Sequence, residues 1–286
     1  MFCKKIFLET KNTLKTAYTD TEAEFLAFVL LEKITGLTKT QILLNTETNF
    51  TEIQRQTLQN DISRLLAFEP WQYVVGEVEF LGLKLAVNTS VLIPRPETEE
   101  WVQRLIQIYR NSNFQRILDI GTGSGCISIA LARAFPNAEI TAIDISQESL
   151  NLALKNSLKN NVKLKLLNAD ILNFEATSTK LTCKEWDLIV SNPPYVCESE
   201  KIQMQTNVLA YEPSEALFVS DRQPLIFYEK IAQFAQRYLA KSGILCVEIN
   251  EKFGKEVKRI FEKVGLQNIA IWQDFAGKNR IVIGEK

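Results

Sequence analysis

The sequence predicts an α/β fold: a seven-stranded, mostly parallel sheet with helices on both faces, preceded by a small helical domain and a β-hairpin. Three observations predict it. From Arg116 onward, short apolar runs alternate with helix-length amphipathic stretches, the rhythm of strand–helix–strand units. The first of these runs ends in a turn with three alternating glycines, Gly121, Gly123 and Gly125. Ahead of Gly76 the pattern is helical, with cap residues and breakers.

The elements follow in order. Met1–Leu8 has only three consecutive apolar residues, Ile6–Leu8, too few for a signal peptide or a spanning helix, and reads as a structured start. Asp20 is placed to cap a helix through Glu32, with Phe25, Phe28, Val29 and Leu31 on its apolar face, and Gly36 ends it. Thr38 caps a short turn through Leu44. Thr51 starts a longer helix to about Phe68, with Ile53, Leu58, Ile62, Leu65 and Leu66 inside, and Pro70 stops it. Val78, Phe80, Leu83, Leu85 and Val87 alternate around Gly82, which predicts a hairpin. Pro94 and Pro96 make a stiff linker that feeds a helix to about Arg110. Strands are expected at 116–120, 139–144, 162–167, 186–191, 243–249, 267–272 and 280–283. Helices are expected near 125–135, 146–160, 224–240 and 255–264. The expected domains are helical over 1–75, hairpin linker over 76–95 and sheet-bearing over 96–286. Ligands of such a sheet bind at the carboxyl ends of its strands.

Composition narrows the chemistry. The chain has 286 residues, 46% of them apolar, which suits one large domain and a smaller one. Its 33 basic and 34 acidic residues leave a net charge of −1. A protein gripping a long stretch of nucleic acid usually carries a basic excess, so no stable nucleic-acid partner is expected. The five cysteines, Cys3, Cys126, Cys183, Cys197 and Cys246, form no Cys-x-x-Cys pair, which fits free thiols in the cytoplasm. No membrane segment and no metal site are expected. The chain has no histidine, which excludes Ser–His and Cys–His nucleophile pairs and a histidine base. Catalysis must use carboxylates, amides, Tyr, Lys or backbone groups, or need no strong base.

The glycine turn reads Asp119-Ile120-Gly121-Thr122-Gly123-Ser124-Gly125. The dinucleotide fingerprint would need glycine at position 126, where Cys126 stands, and no Gly-Lys-Ser/Thr follows for a phosphate-gripping loop. What remains is Asp-x-Gly-x-Gly-x-Gly, the pattern of class I methyltransferases, whose sheet is Rossmann-like. It suits S-adenosyl-L-methionine, which has no phosphate and carries a sulfonium and an ammonium; Asp119 can offset that charge. Asp144 closes the second strand and can accept from both ribose hydroxyls, or cap the helix that follows. Asp170 is placed for the adenine amino group, with Ile171 against the adenine face.

The fourth strand opens into Asn192-Pro193-Pro194-Tyr195. Consecutive prolines stiffen the backbone and remove two donors, leaving carbonyls free to accept. The Asn192 side-chain oxygen and the Pro193 carbonyl can then receive both hydrogens of one –NH2 group, and Tyr195 offers a flat face. A planar amide or adenine nitrogen is a poor nucleophile, and two acceptors can aim it at a sulfonium methyl without a base.

Together with Glu69–Gly76, Glu79-Phe80, Leu92–Glu99, Tyr211–Leu217 and Asp274–Arg280, these motifs give a chain that resembles the protein-(glutamine-N5) methyltransferases of peptide-chain release factors. The likeness spans nearly the whole chain. Tyr211 departs from it, standing where that family often has histidine. The resemblance implies that the cofactor is S-adenosyl-L-methionine, released as S-adenosyl-L-homocysteine. It implies that the substrate is the glutamine of a Gly-Gly-Gln motif in class I release factors, bound by Asn192, Pro193, Pro194 and Tyr195. Asn192 also borders the cofactor, Arg95 and Glu97 border the substrate, and the helical domain contacts the release factor. The alternative is an adenine-N6 or guanine-N2 methyltransferase of nucleic acids, which shares the planar-nitrogen logic. Against it stand the near-neutral charge and the lack of a Lys/Arg cluster beside the motif. A non-catalytic cofactor-binding module is disfavoured by the intact Asn192 and Tyr195, and an NAD-dependent oxidoreductase by Cys126.

Overall fold

The computed structural model describes residues 3–44, 50–173, 175–176, 179, 181 and 185–286; Met1, Phe2 and Cys183 lie outside the described residues. The chain divides into two compact units: Met1–Glu77 with Thr206–Tyr211, and Val78–Gln205 with Glu212–Lys286.

The first unit is helical: Cys3–Leu14, Asp20–Thr35, Lys39–Leu43, Glu52–Leu66 and Trp71–Val75. Three of these begin in reciprocal capping boxes, at Thr19 with Glu22, Thr38 with Gln41 and Thr51 with Gln54. Each side-chain cap is worth ~1 kcal/mol. Thr19, not Asp20, caps the second helix; Asp20 instead meets Lys11 and Lys15 at 3.0 and 2.9 Å. Gly36 ends that helix at φ +70°. Its buried face is set by Ala23, Leu26, Ala27, Phe28, Leu30 and Leu31, and Phe25 turns outward onto Trp71, ring to ring at 5.5 Å. Ile53 is likewise exposed. Buried Asp61 is answered by Lys33 at 2.6 Å, and Lys33 also donates to the Val74 carbonyl at 2.7 Å. The short helix Thr206–Tyr211, distant in sequence, belongs to this unit, and the Tyr211 hydroxyl donates to the Ala67 carbonyl at 2.9 Å.

The hairpin pairs β1 (Glu77–Phe80) with β2 (Leu83–Ala86). Both turn residues are left-handed, Leu81 at φ +50° and Gly82 at +72°, which matches the twist of two-residue hairpins. The remaining strands are β3 (Arg116–Ile120), β4 (Glu139–Asp144), β5 (Lys165–Asn168), β6 (Trp186–Ser191), β7 (Val196–Cys197), β8 (Phe218–Val219), β9 (Leu239–Glu248), β10 (Gln267–Gln273) and β11 (Asn279–Glu285). Seven form one sheet in the order β10-β11-β9-β6-β3-β4-β5. Strands β9, β6, β3, β4 and β5 pair in parallel, and β11 runs antiparallel to both its neighbours. The order reverses at β3, with β4 on one side and β6 on the other, and a crevice for ligands forms at such a point.

Two expected strand starts moved by three or four residues. The strand expected from Val162 starts at Lys165, because Asn161 is left-handed and the Val162 N–H is taken by the Ser157 carbonyl at the end of helix Gln147–Lys159. Strand β9 starts early, at Leu239, and its pairing with β6 shifts register before Ile244; a Cβ on Gly243 would sit 2.8 Å from the Ala240 carbonyl oxygen. The β7–β8 pair and the helices Thr206–Tyr211 and Ser214–Leu217 are too short to show periodicity. Cys3, Cys126, Cys197 and Cys246 are free and buried.

Candidate active site

A cavity of about 630 Å³ opens at the carboxyl ends of β3, β4 and β6, within the size range of small-ligand sites. The register places Ile120 level with Ile143 on one side and Ser191 on the other, so three loops leave the sheet side by side. The buried Ser191 hydroxyl donates to the Ile120 carbonyl at 2.8 Å and ties the β3 and β6 ends together.

The glycine loop forms one wall. Gly121, Gly123 and Gly125 lie at φ +74°, +55° and +82°, where side-chain-bearing residues are strained. The Gly121 and Thr122 N–H groups donate to the Ile143 carbonyl at 2.9 and 3.0 Å. Gly121, Thr122, Gly123 and Ser124 line the cavity; Gly125 lies behind, where an added Cβ would stand 3.2 Å from Ala153 and Ile129. Asp119 is fully buried beneath the loop rather than in the cavity wall. Its Oδ2 accepts from Thr122 and Ser128 at 2.7 and 2.8 Å, and Oδ1 meets no donor among the described residues. Burial raises its pKa from the usual 3.8 to about 6, against the lowering effect of the two hydroxyls. An under-satisfied carboxylate one hydrogen bond behind the wall suits a cationic ligand.

Asp144 lines the cavity at the end of β4. Its oxygens accept the Gly123 N–H at 2.8 Å and the Ser146 N–H at 2.9 Å, so each keeps a lone pair for a hydroxyl. Burial raises its pKa above the usual value. The cap of the following helix is Ser146, whose side chain accepts from Ser149. Asp170 and Ile171 line the same cavity.

Asn192, Pro193 and Pro194 form the opposite wall. Asn192 Nδ2 donates to Thr98 Oγ1 at 3.2 Å, and no donor among the described residues meets its Oδ1. Tyr195 lies outside the cavity wall: its hydroxyl donates to Glu248 at 3.1 Å, and its carbonyl accepts from Asn250 Nδ2 at 3.2 Å. Burial, then the nearby Glu248 charge, pushes its hydroxyl well above the usual range. Arg95 borders the cavity but is held by buried Glu212 at 2.6 Å, while Glu97 faces a separate cleft beside Trp272 and Arg280.

Sequence reasoning did not single out Thr98, Trp101, Asn156, Glu212 or Glu248. Glu248 carried a readable signal, an acid ending an apolar strand. Asn156 did not: it lies in mid-helix, yet bonds the Ala86 N–H, the Ala86 carbonyl and the Ser124 carbonyl at 2.7, 2.9 and 2.8 Å. It thereby clamps the hairpin and the glycine loop to one helix.

A seven-stranded sheet in this order, with a left-handed glycine loop after β3, an aspartate ending β4 and Asn-Pro-Pro-Tyr after β6, defines a class I S-adenosylmethionine-dependent methyltransferase. Residues 101–218 match the Methyltransferase small domain family and residues 6–76 the PrmC N-terminal domain. A release factor glutamine methyltransferase of Flavobacterium psychrophilum is 38% identical over 286 residues, covering 99% of this chain and 98% of that one. One from Lactococcus lactis is 39% identical over 272 residues, 95% and 97% of the two chains. The chain belongs to the release factor glutamine methyltransferase family. Among solved structures, a methyltransferase from Pyrococcus furiosus superposes with a TM-score of 0.52 at 18% identity, over 82% of this chain and 99% of that one. A T. thermophilus 16S rRNA methyltransferase in complex with AdoMet and guanosine gives 0.52 at 16% identity, over 73% and 49%. Both share the fold.

Proposed function

We propose that this protein transfers the methyl group of S-adenosyl-L-methionine to the side-chain amide nitrogen, N5, of the glutamine in the Gly-Gly-Gln motif of class I peptide-chain release factors. The observation that carries the reading is Asn192: its Nδ2 is anchored on Thr98, while Oδ1 is left without a donor beside a cavity shared with the glycine loop.

The cofactor, when bound, supplies a methyl group on a sulfonium. Asp144 is placed to hold its ribose hydroxyls, Asp170 and Ile171 its adenine, and Gly121–Gly125 give it close backbone approach. Asp119 sets a negative charge behind that loop. Asn192 Oδ1 and the Pro193 carbonyl take the two hydrogens of the glutamine amide and aim its nitrogen. As positive charge builds on that nitrogen its hydrogens become stronger donors, so both acceptors bind the transition state better than the ground state. No base is required in the transfer, and the proton leaves to water afterwards. Arg95 borders the substrate, and Tyr195 stiffens the corner through Glu248 and Asn250. The helical unit provides the docking surface for the release factor, and the protein works in the cytoplasm. Among the described residues, no helix is long and apolar enough to cross a membrane.

The test is methyl transfer from isotope-labelled cofactor to purified release factor and to total RNA and DNA. The expected result is labelling of the release factor alone, lost when its motif glutamine is replaced by alanine. Labelled nucleic acid with an unlabelled release factor would overturn the proposal in favour of a base methyltransferase.

A further inference from the structure

Thr98, which lines the cavity beside Asn192, is tied to the buried Glu248 behind it, in a group of side chains that take no part in bond making. Glu248, at the end of β9, is 1% exposed and accepts three hydrogen bonds. Thr98 Oγ1 and Trp101 Nε1 both donate to its Oε2 at 2.7 Å, and the Tyr195 hydroxyl donates to Oε1 at 3.1 Å. Thr98, in the first turn of helix Pro96–Tyr109, is 2% exposed and accepts from Asn192 Nδ2 at 3.2 Å.

With Glu248 ionised, the polarity of this chain of contacts is set: a carboxylate oxygen can only accept, as an indole N–H can only donate. Thr98 has one hydroxyl hydrogen, and it goes to Glu248 Oε2 beside Trp101 Nε1. What Thr98 then turns to Asn192 is a lone pair, which selects the NH2 end of the Asn192 amide. The carbonyl end, Oδ1, is left without a donor among the described residues, on a residue that lines the cavity. An asparagine side chain has nearly equal shape in its two amide orientations, so nothing in its own structure makes this choice. In the reversed orientation, an NH2 group would face the NH2 group of the acceptor.

We propose that Thr98 and Glu248 are positioning residues that lock the Asn192 amide with Oδ1 toward the acceptor nitrogen. The idea rests on methyl transfer to an NH2 group at this corner, as proposed above. It adds that the helix after the proline linker and the end of β9 set the direction of the key acceptor.

The experiment compares Thr98→Val, which keeps the shape and removes the hydroxyl, with Thr98→Ser, which keeps the hydroxyl. One neutral hydrogen bond corresponds to about five- to tenfold. Thr98→Val is expected to lower kcat/KM for the release factor by about that factor, with cofactor Kd within about twofold of wild type and a melting temperature lower by a few degrees, because the buried Glu248 Oε2 loses one of its two donors. Thr98→Ser is expected to recover wild-type turnover. A merely structural role would lower the melting temperature and loosen the cofactor while leaving kcat/KM of the folded, cofactor-saturated enzyme unchanged. A second readout needs no acceptor: the side-chain amide proton pair of Asn192 in protein labelled at asparagine, assigned by its loss in Asn192→Asp. Wild type and Thr98→Ser should show a pair with one proton shifted downfield and protected from water exchange by the Thr98 hydrogen bond, and Thr98→Val should lose that shift and protection. If wild type fails to methylate the release factor, the substrate assignment falls, and the amide signal alone decides the positioning role. An unaltered signal in Thr98→Val, or unchanged kcat/KM in an active enzyme, would overturn the proposal.

Discussion

Asp119→Asn removes a charge that the fold encloses completely, and its effect on stability has a definite sign. Burial lifts the folded-state pKa from the usual 3.8 to about 6. Below pH 3.8 the carboxyl is protonated in folded and unfolded chains alike, and its ionisation does not affect stability. Between pH 3.8 and 6 the folded state retains a proton that the unfolded chain has lost, so stability falls as pH rises. Above pH 6 the loss is complete and constant. At 1.36 kcal/mol for each pH unit, the total is ~3 kcal/mol. An asparagine avoids this cost, but it accepts more weakly from Thr122 and Ser128 and buries an NH2 where Oδ1 has no partner, together ~1–2 kcal/mol. Urea unfolding of the cofactor-free protein from pH 4 to pH 8, taken as variant minus wild type, isolates the term. The difference should rise by ~2 kcal/mol in favour of the variant between pH 4 and 6.5 and then level off. Cofactor affinity should respond oppositely, tightening with pH through about 6 in wild type and staying weak and flat in Asp119→Asn. A flat or falling stability difference would refute the burial argument.

Other substitutions test the scaffold around the site. Asn156→Leu removes three buried hydrogen bonds and strands the Ala86 N–H. It should cost ~3–5 kcal/mol, seen as a melting temperature lower by roughly 10 °C, together with weaker cofactor binding because the Ser124 carbonyl is released; a loss under ~1 kcal/mol would contradict the clamp. Gly125→Ala and Gly277→Ala both force alanine into the left-handed region, at φ +82° and +77°, at ~1–2 kcal/mol each. Only Gly125 also meets Ala153 and Ile129 at 3.2 Å, whereas nothing lies within 4 Å at Gly277. In denaturant titrations Gly125→Ala should therefore be the more destabilised of the two.

What the sequence made legible was local. Gly36, Thr38, Thr51, Pro96 and the glycine loop act through their own backbone or through neighbours three or four residues away, and they stand in the structure where their chemistry predicts. Misreadings arose where a neighbour competed for the same job. Thr19 displaced Asp20 as a cap because Glu22 could complete the box, while Asp20 found Lys11 and Lys15. Phe25 had the right spacing for the core, but the face that is buried runs through Ala23, Leu26, Ala27 and Leu30, and Phe25 is left exposed. The wall of the site was legible in Asn192–Pro194, whose restraint is covalent. The layer that orients it was not. Thr98 and Glu248 are separated by 150 residues, and Asn156 lies 70 from Ala86. Such partners meet only after the sheet has ordered its strands. Asp119 and Tyr195 fall between the two cases: motif placed them near the site, and only packing shows that they lie behind its surface.

The proposed transfer depends on Asn192 as the acceptor that holds the reacting amide, and single-turnover kinetics of Asn192→Ala with saturating cofactor and release factor measure that directly. Loss of one preorganised polar contact to the reacting group predicts a rate lower by ~100-fold or more, with cofactor Kd changed less than about threefold. Methyl transfer at the wild-type rate in that variant would contradict the account.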